Sequence, residues 1–488
     1  MLVVLLAGQL MCILDVLVVN VAMPSIGTKL HASGASLQLI VGGYTIAYAM
    51  LLITGARLGD RYGRRRMYLT GLTLFTAASL GCALAPDSQA LIAFRFAQGA
   101  GAAVLVPQIF STIQLRFSGQ ARARALSAYA AVLSVGAVAG LILGGIIVTA
   151  NLFGQGWRPV FAINVPLGIV LGVLIPRTLP PDEPRAIARK LDGAGLGMAM
   201  AAVLLLVLPL VLGEDERWPA WTFASLAAGA VVSVGFVRLE RRVAAFQPDG
   251  EPLLNLAVLR APGLPSSLGA LVCSQICYGG LMFTFTLYLQ GGLRDSALRA
   301  GLTYLPLAMT FGLIGFYSRR LPASTHRFLA PAGLALAALG YLGLAAGPHA
   351  AIGDAALVVL GAGLGLTVSP LLTGALARVR PERAADASGL LTTSVQLGQL
   401  TGVAALGSVY LALLHRAAPL HPAAGSAPAA VTAGSAVTAG SAVSTVACVM
   451  AAISFAGLVL LVSSRGRLGD PAGRDGRDPA GGGSVPRG

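Results

Sequence analysis

Two residues of opposite charge lie deep inside long apolar stretches of this sequence. Asp15 lies within a stretch at residues 2–24, and Arg95 lies within another at residues 89–112. A charged side chain at the centre of a membrane helix costs about 3 kcal/mol on insertion scales, so such residues are usually functional and paired. If both stretches cross a membrane, the carboxyl group of Asp15 can take up and release a proton, and Arg95 can pair with it when it is charged.

The two residues are predicted to lie at a similar depth. Asp15 lies about 13 residues, or about 20 Å, along a helix that starts at one membrane surface. Arg95 lies about 9 Å below the opposite surface, where its own helix starts. In an apolar core about 30 Å thick, both positions are therefore about 10 Å from the same surface. The two side chains can meet directly or through water if their helices adjoin.

The composition of the chain supports such a setting. Of its 488 residues, 56% are apolar and only 11% are charged, whereas soluble proteins carry about 25% charged residues. A soluble enzyme and an extended disordered protein are therefore excluded, and a polytopic membrane protein remains. The net charge of +15 does not indicate a nucleic-acid partner, because the basic residues lie in short gaps between the apolar stretches.

Runs of about 20 apolar residues predict fourteen membrane helices, and an all-α fold follows because open sheet edges are not satisfied in lipid. An even number places both termini on the same side. With the termini in the cytoplasm, 27 of the 34 Lys and Arg residues flank the helices on the inside and six lie outside, as the positive-inside rule requires. The predicted spans are residues 2–24, 38–57, 67–85, 89–112, 125–150, 159–176, 192–212, 220–237, 264–289, 298–316, 328–346, 351–376, 385–414 and 442–464.

The remaining segments hold few candidates for chemistry. Residues 2–24 are interpreted as a retained first helix, since they lack the basic leading region and small-residue cleavage site of a signal peptide. Residues 417–443 are expected to form a flexible outside loop, and residues 465–488 a disordered cytoplasmic tail. The five cysteines lie in apolar stretches and the five histidines in loops or at span ends. We therefore expect no disulfide framework and no metal site.

A charged loop follows the second span, at residues 55–66, with the sequence Gly-Ala-Arg-Leu-Gly-Asp-Arg-Tyr-Gly-Arg-Arg-Arg. Its small residues allow a tight turn and close contact between helices. Asp60 lies at a helix end, where it can pair with Arg61 or Arg64 or face the positive N-terminus of a neighbouring helix. A plain positive-inside cluster is the alternative, but it explains neither the acidic residue nor the spaced small residues.

This signature loop, residues 55–66, resembles the loop signature of the major facilitator superfamily. The family usually has Gly where Ala56 stands. A degenerate second copy of the motif lies at residues 318–320. The resemblance implies a conformational-switch role for Ala56, Leu58, Gly59, Asp60, Arg61, Gly63, Arg64 and Arg65.

Further motifs resemble one branch of that superfamily, the fourteen-helix drug:proton antiporters. They are Leu14-Asp15 with residues 19–24, Arg95 with residues 98–102, Trp157-Arg158 through Gly168, Tyr288-Leu289-Gln290, residues 301–306 and residues 388–398. Leu17 replaces a Thr that is usual in this branch. The resemblance implies a major facilitator fold, with an N-terminal six-helix bundle at 1–176, two inserted helices with flanking cytoplasmic loops at 177–263, and a C-terminal six-helix bundle at 264–464.

Span five carries a row of glycines, which we call the glycine seam: Gly136, Gly140, Gly144 and Gly145. The first three are four residues apart and share one helix face, as small residues do where two membrane helices pack closely. The antiporter signature of the family places Pro directly after the second of these glycines, where this chain has Leu141. The seam is therefore kept but the proline kink is not, which weakens the argument for antiport though not for transport.

The resemblance implies a proton-coupled exporter of hydrophobic or amphipathic small molecules such as drugs or antibiotics. Asp15 and Arg95 would couple protons to transport, because a carboxyl group stays charged beside a cation and takes up a proton in apolar surroundings. A static buried ion pair that fixes helix register is the alternative. The substrate cavity would lie between the two bundles, and its candidate lining residues are Asn20, Gln98, Gln108, Tyr278, Phe283, Phe285, Gln290, Gln396 and Gln399.

Other functions fit the sequence less well. A dedicated exporter of one endogenous metabolite or self-made antibiotic, with or without proton antiport, remains the closest alternative. An intramembrane enzyme would need clustered nucleophiles, acids or metal ligands, and a channel would need a continuous polar lining. We expect the protein to be a monomer in the plasma membrane, which in a bacterium is the inner membrane. We also expect it to use the proton gradient as its energy source and to need no cofactor.

Overall fold

The computed structural model describes residues 1–151, 154–181, 193–213, 216, 218–246, 263–348, 350–377, 384–417 and 428–467. Within these residues the secondary structure is helical, and no strand is present. The sixteen α-helices are α1 (Leu2–Leu30), α2 (Gly34–Tyr62), α3 (Arg64–Leu84), α4 (Ser88–Arg116), α5 (Gly119–Ala150), α6 (Pro159–Ala162), α7 (Asn164–Thr178), α8 (Gly193–Leu212), α9 (Ala220–Phe246), α10 (Leu264–Leu287), α11 (Ala297–Thr303), α12 (Leu305–Tyr317), α13 (His326–Ala346), α14 (Ala350–Ala377), α15 (Ala384–Ala417) and α16 (Pro428–Arg467).

The predicted all-α membrane fold is confirmed. In the described part of the chain, thirteen helical stretches are long and apolar enough to cross a membrane, and they coincide with thirteen of the predicted spans. The fourteenth predicted span falls on α5, in which the described side chains form an apolar stretch at Val138–Ala150, so the total of fourteen is consistent with the structure but stays a prediction. Two spans are each formed by a pair of helices, α6 with α7 and α11 with α12.

The expected loop at residues 417–443 is wrong in its second half. Helix α16 begins at Pro428 and continues to Arg467, so it includes the repeated Val-Thr-Ala-Gly-Ser-Ala segment. Alanine has the highest helix propensity of the amino acids, and proline is well accepted in the first turn. The predicted tail beyond residue 467 and the loop residues 418–427 lie outside the described residues.

Close backbone contacts hold the N-terminal helices together. A Cβ atom added to Gly99 of α4 would collide with the backbone carbonyl of Tyr44 in α2, and one added to Gly101 would lie 2.6 Å from the backbone nitrogen of Phe75 in α3. Small residues at these crossings let membrane helices approach closely. Helix α4, which carries Arg95, is thereby fixed between α2 and α3.

Two pairs of helices form the largest contacts between the two halves of the chain. Helix α2 packs on α15, where an added Cβ on Gly34 would lie 2.6 Å from Leu411, and α5 packs on α11, where one on Gly145 would lie 2.6 Å from the backbone of Leu298. Both contacts lie at the end of the helices opposite the signature loop. We refer to the end that carries the signature loop as the basic end.

Helix α8, from the predicted insertion, lies against the contact between α2 and α15. Its Val207 and Val211 are buried with Ala35 and Ile46 of α2 and with residues of α15. The hydroxyl of Ser408 in α15 accepts from Gln38 Nε2 of α2 at 3.3 Å and donates to the carbonyl of Leu210 in α8 at 2.6 Å. The insertion therefore contacts both halves, while the predicted domain boundaries themselves stay a prediction.

Candidate functional site

Asp15 and Arg95 form a buried ion pair. Arg95 Nη1 lies 2.5 Å from Asp15 Oδ2, and the side chains are 1% and 0% exposed. The structure therefore brings together the two residues that the sequence placed at equal depth. Desolvated pairs of this kind need further hydrogen bonds to be stable.

Gln98 supplies such bonds to both partners. Its Oε1 accepts from Arg95 Nη1 at 2.7 Å, and its Nε2 donates to Asp15 Oδ1 at 2.6 Å and to Ser79 Oγ at 2.8 Å. Gln98 follows Arg95 by three residues in α4, so the two side chains lie on the same helix face. Ser79 in turn donates to the carbonyl of Phe75 at 2.8 Å, which ties this network to α3.

Asn164 completes the surroundings of Asp15. It is the first residue of α7, directly after the break from α6, and its Nδ2 donates to Asp15 Oδ1 at 2.8 Å. Asp15 thus receives hydrogen bonds from Arg95, Gln98 and Asn164. An ionised carboxylate only accepts hydrogen bonds, so the three donors match the charged form.

The guanidinium of Arg95 is also held from its other sides. Its Nε donates to the carbonyl of Ile40 at 2.9 Å, and its Cζ lies 4.9 Å from the ring centre of Tyr44 and 5.7 Å from that of Phe161. Aromatic faces attract a cation, more strongly when it is desolvated. Residues from α2 and α6 therefore fix Arg95 while α1 brings Asp15 to it.

The glycine seam lies against the part of α1 that carries Asp15. An added Cβ on Gly140 would lie 3.0 Å from Leu17 Cβ, and one on Gly144 would lie 3.1 Å from Val18 Cα. Gly136 faces Leu10 and Ile13 in the same way. The seam thus sets how closely α5 approaches α1 on both sides of Asp15.

The fourth glycine of the seam and Leu141 lie instead at the contact with the C-terminal half. Gly145 faces the backbone of Leu298 in α11, and an added Cβ on Gly301 would lie 2.6 Å from the carbonyl oxygen of Leu141. The residue that replaces the family proline is 4% exposed at this contact. Helix α5 therefore touches α1 with one face and the opposite half with another.

The signature loop turns sharply at Gly63, which ends α2 and precedes α3 with φ 98° and ψ 140°. Of the partners predicted for Asp60, the structure shows Arg64, whose Nη2 lies 2.7 Å from Asp60 Oδ1. Gly59 packs on the side-chain amide of Gln108 in α4, where an added Cβ would collide with it.

The other predicted loop residues surround this turn. Ala56, Leu58 and Arg65 are partly buried and Arg61 is exposed. The degenerate second copy of the loop motif forms a 3-10 turn at Ser318–Arg320. The switch role of all these residues stays a prediction.

Some predicted cavity residues are buried within the N-terminal half. Gln98 belongs to the Asp15 network. Gln108 is 1% exposed and donates to the carbonyls of Gly55 at 2.8 Å and Val104 at 3.0 Å. Asn20 donates to the carbonyl of Val16 in its own helix at 2.9 Å.

The predicted cavity residues of the C-terminal half fall into two groups. Phe283 and Phe285 are at most 1% exposed, and Phe285 stacks at 5.8 Å between ring centres on Tyr288. Tyr278, Gln290, Gln396 and Gln399 are only partly buried. Gln399 donates to Gln275 Oε1 at 3.1 Å, and Gln290 donates to the carbonyl of Val21 in α1 at 2.8 Å. Cavity contact stays a prediction for the whole set.

Sequence reasoning did not single out Asn164, Ser79 and Tyr44 as members of the site. Asn164 lies within the motif at residues 157–168, and a polar residue in an apolar span is a signal in itself. Ser79 and Tyr44 gave no such signal, because a hydroxyl group is common in membrane helices.

Comparison with known proteins agrees with this architecture. The chain is 37% identical over 430 residues to the "Probable actinorhodin transporter" of Streptomyces coelicolor, which covers 84% of this chain and 72% of the relative. It is 35% identical to the "Cephamycin export protein CmcT" of Amycolatopsis lactamdurans, over 82% of this chain and 83% of the relative. It is 34% identical to the "Drug efflux pump JefA" of Mycobacterium tuberculosis, over 84% of this chain and 80% of the relative.

Solved structures share the fold. A bacterial homolog of the human lysosomal transporter Spinster, in an inward-facing and occupied conformation, superposes with a TM-score of 0.66 at 18% identity, over 95% of this chain and 96% of that one. The POT family transporter PepTSo superposes with a TM-score of 0.65 at 17% identity, over 96% of this chain and 97% of that one. Residues 5–403 match the family description Major Facilitator Superfamily. The resemblance found in the sequence is thus confirmed, and the chain belongs to the Major Facilitator Superfamily.

Proposed function

We propose that this chain exports hydrophobic or amphipathic small molecules of the drug and antibiotic class in exchange for protons. Relatives that share 32% to 37% identity over most of the chain include proteins named for antibiotic export and for drug efflux. The observation that carries the proton part is the Asp15 site, an acidic side chain that is 0% exposed in the middle of α1. A second buried carboxyl group, Glu240, lies near the end of α9.

In the proposed mechanism, Asp15 changes its protonation when α1 moves relative to α4 and α7. In the structure its carboxyl oxygens are paired with Arg95, Gln98 and Asn164 in a buried position, surroundings that favour the charged form. When α1 separates from Arg95 and Asn164, the carboxyl group loses its donors and takes up a proton. Alternating access would let protonation occur from the outside and release on the inside.

The test is Asp15→Asn in proteoliposomes, compared with Arg95→Ala and the wild type. Asn keeps the size of Asp but carries no titratable proton. We expect Asp15→Asn to abolish uphill export driven by a proton gradient while the protein still elutes as a folded monomer. Export that continues uphill at the wild-type rate would reject the coupling site and favour the static ion pair.

We also propose that both termini lie in the cytoplasm of a bacterial cell and that the basic end faces the cytoplasm. The distribution of Lys and Arg described above supports this orientation. A membrane-impermeant maleimide provides the test, applied to Ser484→Cys in a Cys448→Ser background, because Cys448 is exposed. Labelling of intact cells would contradict the orientation, and labelling only after lysis is expected.

A dedicated exporter of one antibiotic is the second candidate. The relatives named for actinorhodin and for cephamycin favour it, whereas those named Stp and JefA favour a broad range. A susceptibility and efflux panel in a pump-deficient host distinguishes the two. Protection against several unrelated compounds, lost in Asp15→Asn, would indicate broad efflux, and protection against one compound class would indicate a dedicated exporter.

A further inference from the structure

A groove of about 1500 Å³ opens at the basic end. Its mouth is formed by residues 59–66, and its walls continue along α3 and the end of α4. Asp60 is the acidic residue among those lining the groove, and it is paired with Arg64. The residues that line the groove therefore set five arginines against one carboxylate: Arg61, Arg64, Arg65, Arg66 and Arg116.

The backbone of α3 adds to this positive charge. Gly63 at its N-terminus offers no capping side chain, and its first turn contains no acidic residue. The first amide groups of a helix have no partner within the helix, and together with the helix dipole they attract anions. The arginine side chains and the first amide groups of α3 are thus two kinds of donor at the mouth.

The walls of the groove continue from the mouth into the membrane. Leu69, Thr73 and Ala77 line it at intervals of four residues along one face of α3, and Leu115 of α4, 59% exposed, lines it as well. From Arg64 to Ala77 the helix rises about 20 Å. Half of the hydrocarbon core measures about 15 Å, so the groove reaches from the membrane surface to about the middle of the bilayer.

We propose that this groove binds an anionic phospholipid, with the phosphate among the arginines and an acyl chain along α3. A soluble anion would contact only the mouth and leave the apolar walls unused. A zwitterionic lipid would bring a positive group next to five arginines. A lipid with net negative charge satisfies both ends of the groove, and lipids of this kind are recognised by basic clusters at membrane surfaces.

The first test measures lipid retention by native mass spectrometry, with the full-length chain in detergent titrated with long-chain phosphatidylglycerol. Arg66→Gln with Arg116→Gln removes two charges from the mouth. We expect phosphatidylglycerol to bind on the order of tenfold more weakly to this double variant. The matched control, Arg124→Gln with Arg177→Gln, removes two charges at the same end but outside the groove lining, and it should change binding less than twofold.

A second test addresses the walls and does not depend on the arginines. Thr73→Trp fills the groove on the exposed face of α3, and Leu80→Trp places the same side chain on an exposed position of α3 outside the groove. We expect only Thr73→Trp to reduce retention of the long-chain lipid. Equal retention in both variants would contradict the proposed acyl-chain position.

Two further comparisons identify the ligand. Phosphatidylcholine that binds as tightly as phosphatidylglycerol would overturn the proposal. Millimolar inorganic phosphate that displaces the lipid, or dihexanoyl phosphatidylglycerol that binds as tightly as the long-chain form, would show that the mouth binds soluble anions instead. The proposal is independent of proton-coupled export, because none of these measurements requires transport.

Discussion

Gln290 in the C-terminal half donates through Nε2 to the carbonyl oxygen of Val21 in α1, at 2.8 Å. Val21 lies six residues beyond Asp15 on the same helix. Gln290 belongs to a π-helical turn, Tyr288–Gly292, directly after α10, and such turns often occur at functional sites. A movement of the C-terminal half can therefore be transmitted to α1 and through it to Asp15.

Gln290→Leu should weaken this connection while leaving the Asp15 network intact. One hydrogen bond contributes about 1 kcal/mol, so we expect a small decrease in thermal stability but a several-fold decrease in export rate in proteoliposomes. Thr310→Val is the control, because among the described residues Thr310 bonds within α12, to the carbonyls of Pro306 and Leu307. A wild-type export rate in Gln290→Leu would show that α1 is moved by other contacts.

Gln98→Leu should abolish proton-coupled export. The substitution removes a donor from Asp15 and an acceptor from Arg95, and leaving buried charged groups short of partners costs about 2 to 3 kcal/mol. Thermal denaturation measures this loss, and dye efflux in vesicles measures transport. Gln9→Leu is a control at another buried glutamine, which accepts from Tyr129 at 3.3 Å. It should lower stability by about 1 kcal/mol with export unchanged, and equal effects on export would argue against a special role for Gln98.

Gly140→Val should disturb the seam between α5 and α1. The Cβ atom alone would lie 3.0 Å from Leu17 Cβ, and the larger side chain would push α1 away, at a cost of about 1 to 3 kcal/mol. Gly172→Val tests the same substitution where no atom lies within 4 Å of the added Cβ. We expect export and thermal stability to fall only in the first variant. Unchanged export in Gly140→Val would mean that the spacing of α1 and α5 is not critical.

Gly63→Ala should impair the signature loop through backbone strain. Gly63 has φ 98° and ψ 140°, a sparsely populated combination that costs other residues about 1 to 3 kcal/mol. Gly154 also has a positive φ, 70°, and an added Cβ would meet no packed neighbour within 4 Å, so Gly154→Ala also introduces backbone strain but outside the loop. Both variants should melt earlier, but only Gly63→Ala should lower the export rate. A parallel loss of export in both would assign the effect to stability alone.

The pairing of Asp15 with Arg95 could be predicted because depth follows from counting residues along each span. The rise per residue is fixed, so two charges about 10 Å from the same surface had to lie at one level. The loop at Asp60 could be predicted for a different reason, because its glycines favour a turn and its charged residues can pair locally. Of its suggested partners, Arg64 is brought to Asp60 by the sharp turn at Gly63, which places the first residue of α3 beside the last turn of α2.

The roles of Gln98 and Gln108 could not be predicted, because the direction in which a side chain points depends on which helices surround it. Both were expected to line the cavity, yet one completes the buried ion pair and the other binds backbone carbonyls of α2 and α4. The packing partners of α8 could not be predicted either. An apolar helix has no polar face to show which neighbours it packs against.

Helix α8 makes the two sides of the molecule unequal for a compound dissolved in the bilayer. On one side such a compound meets Val203 and Val207 of α8 before it can reach the crossing of α2 with α15. On the other side Ile146 of α5 and Leu302 of α11, each 45% exposed, border the second crossing directly. A compound dissolved in the bilayer would thus meet one crossing that α8 covers and one that it leaves uncovered.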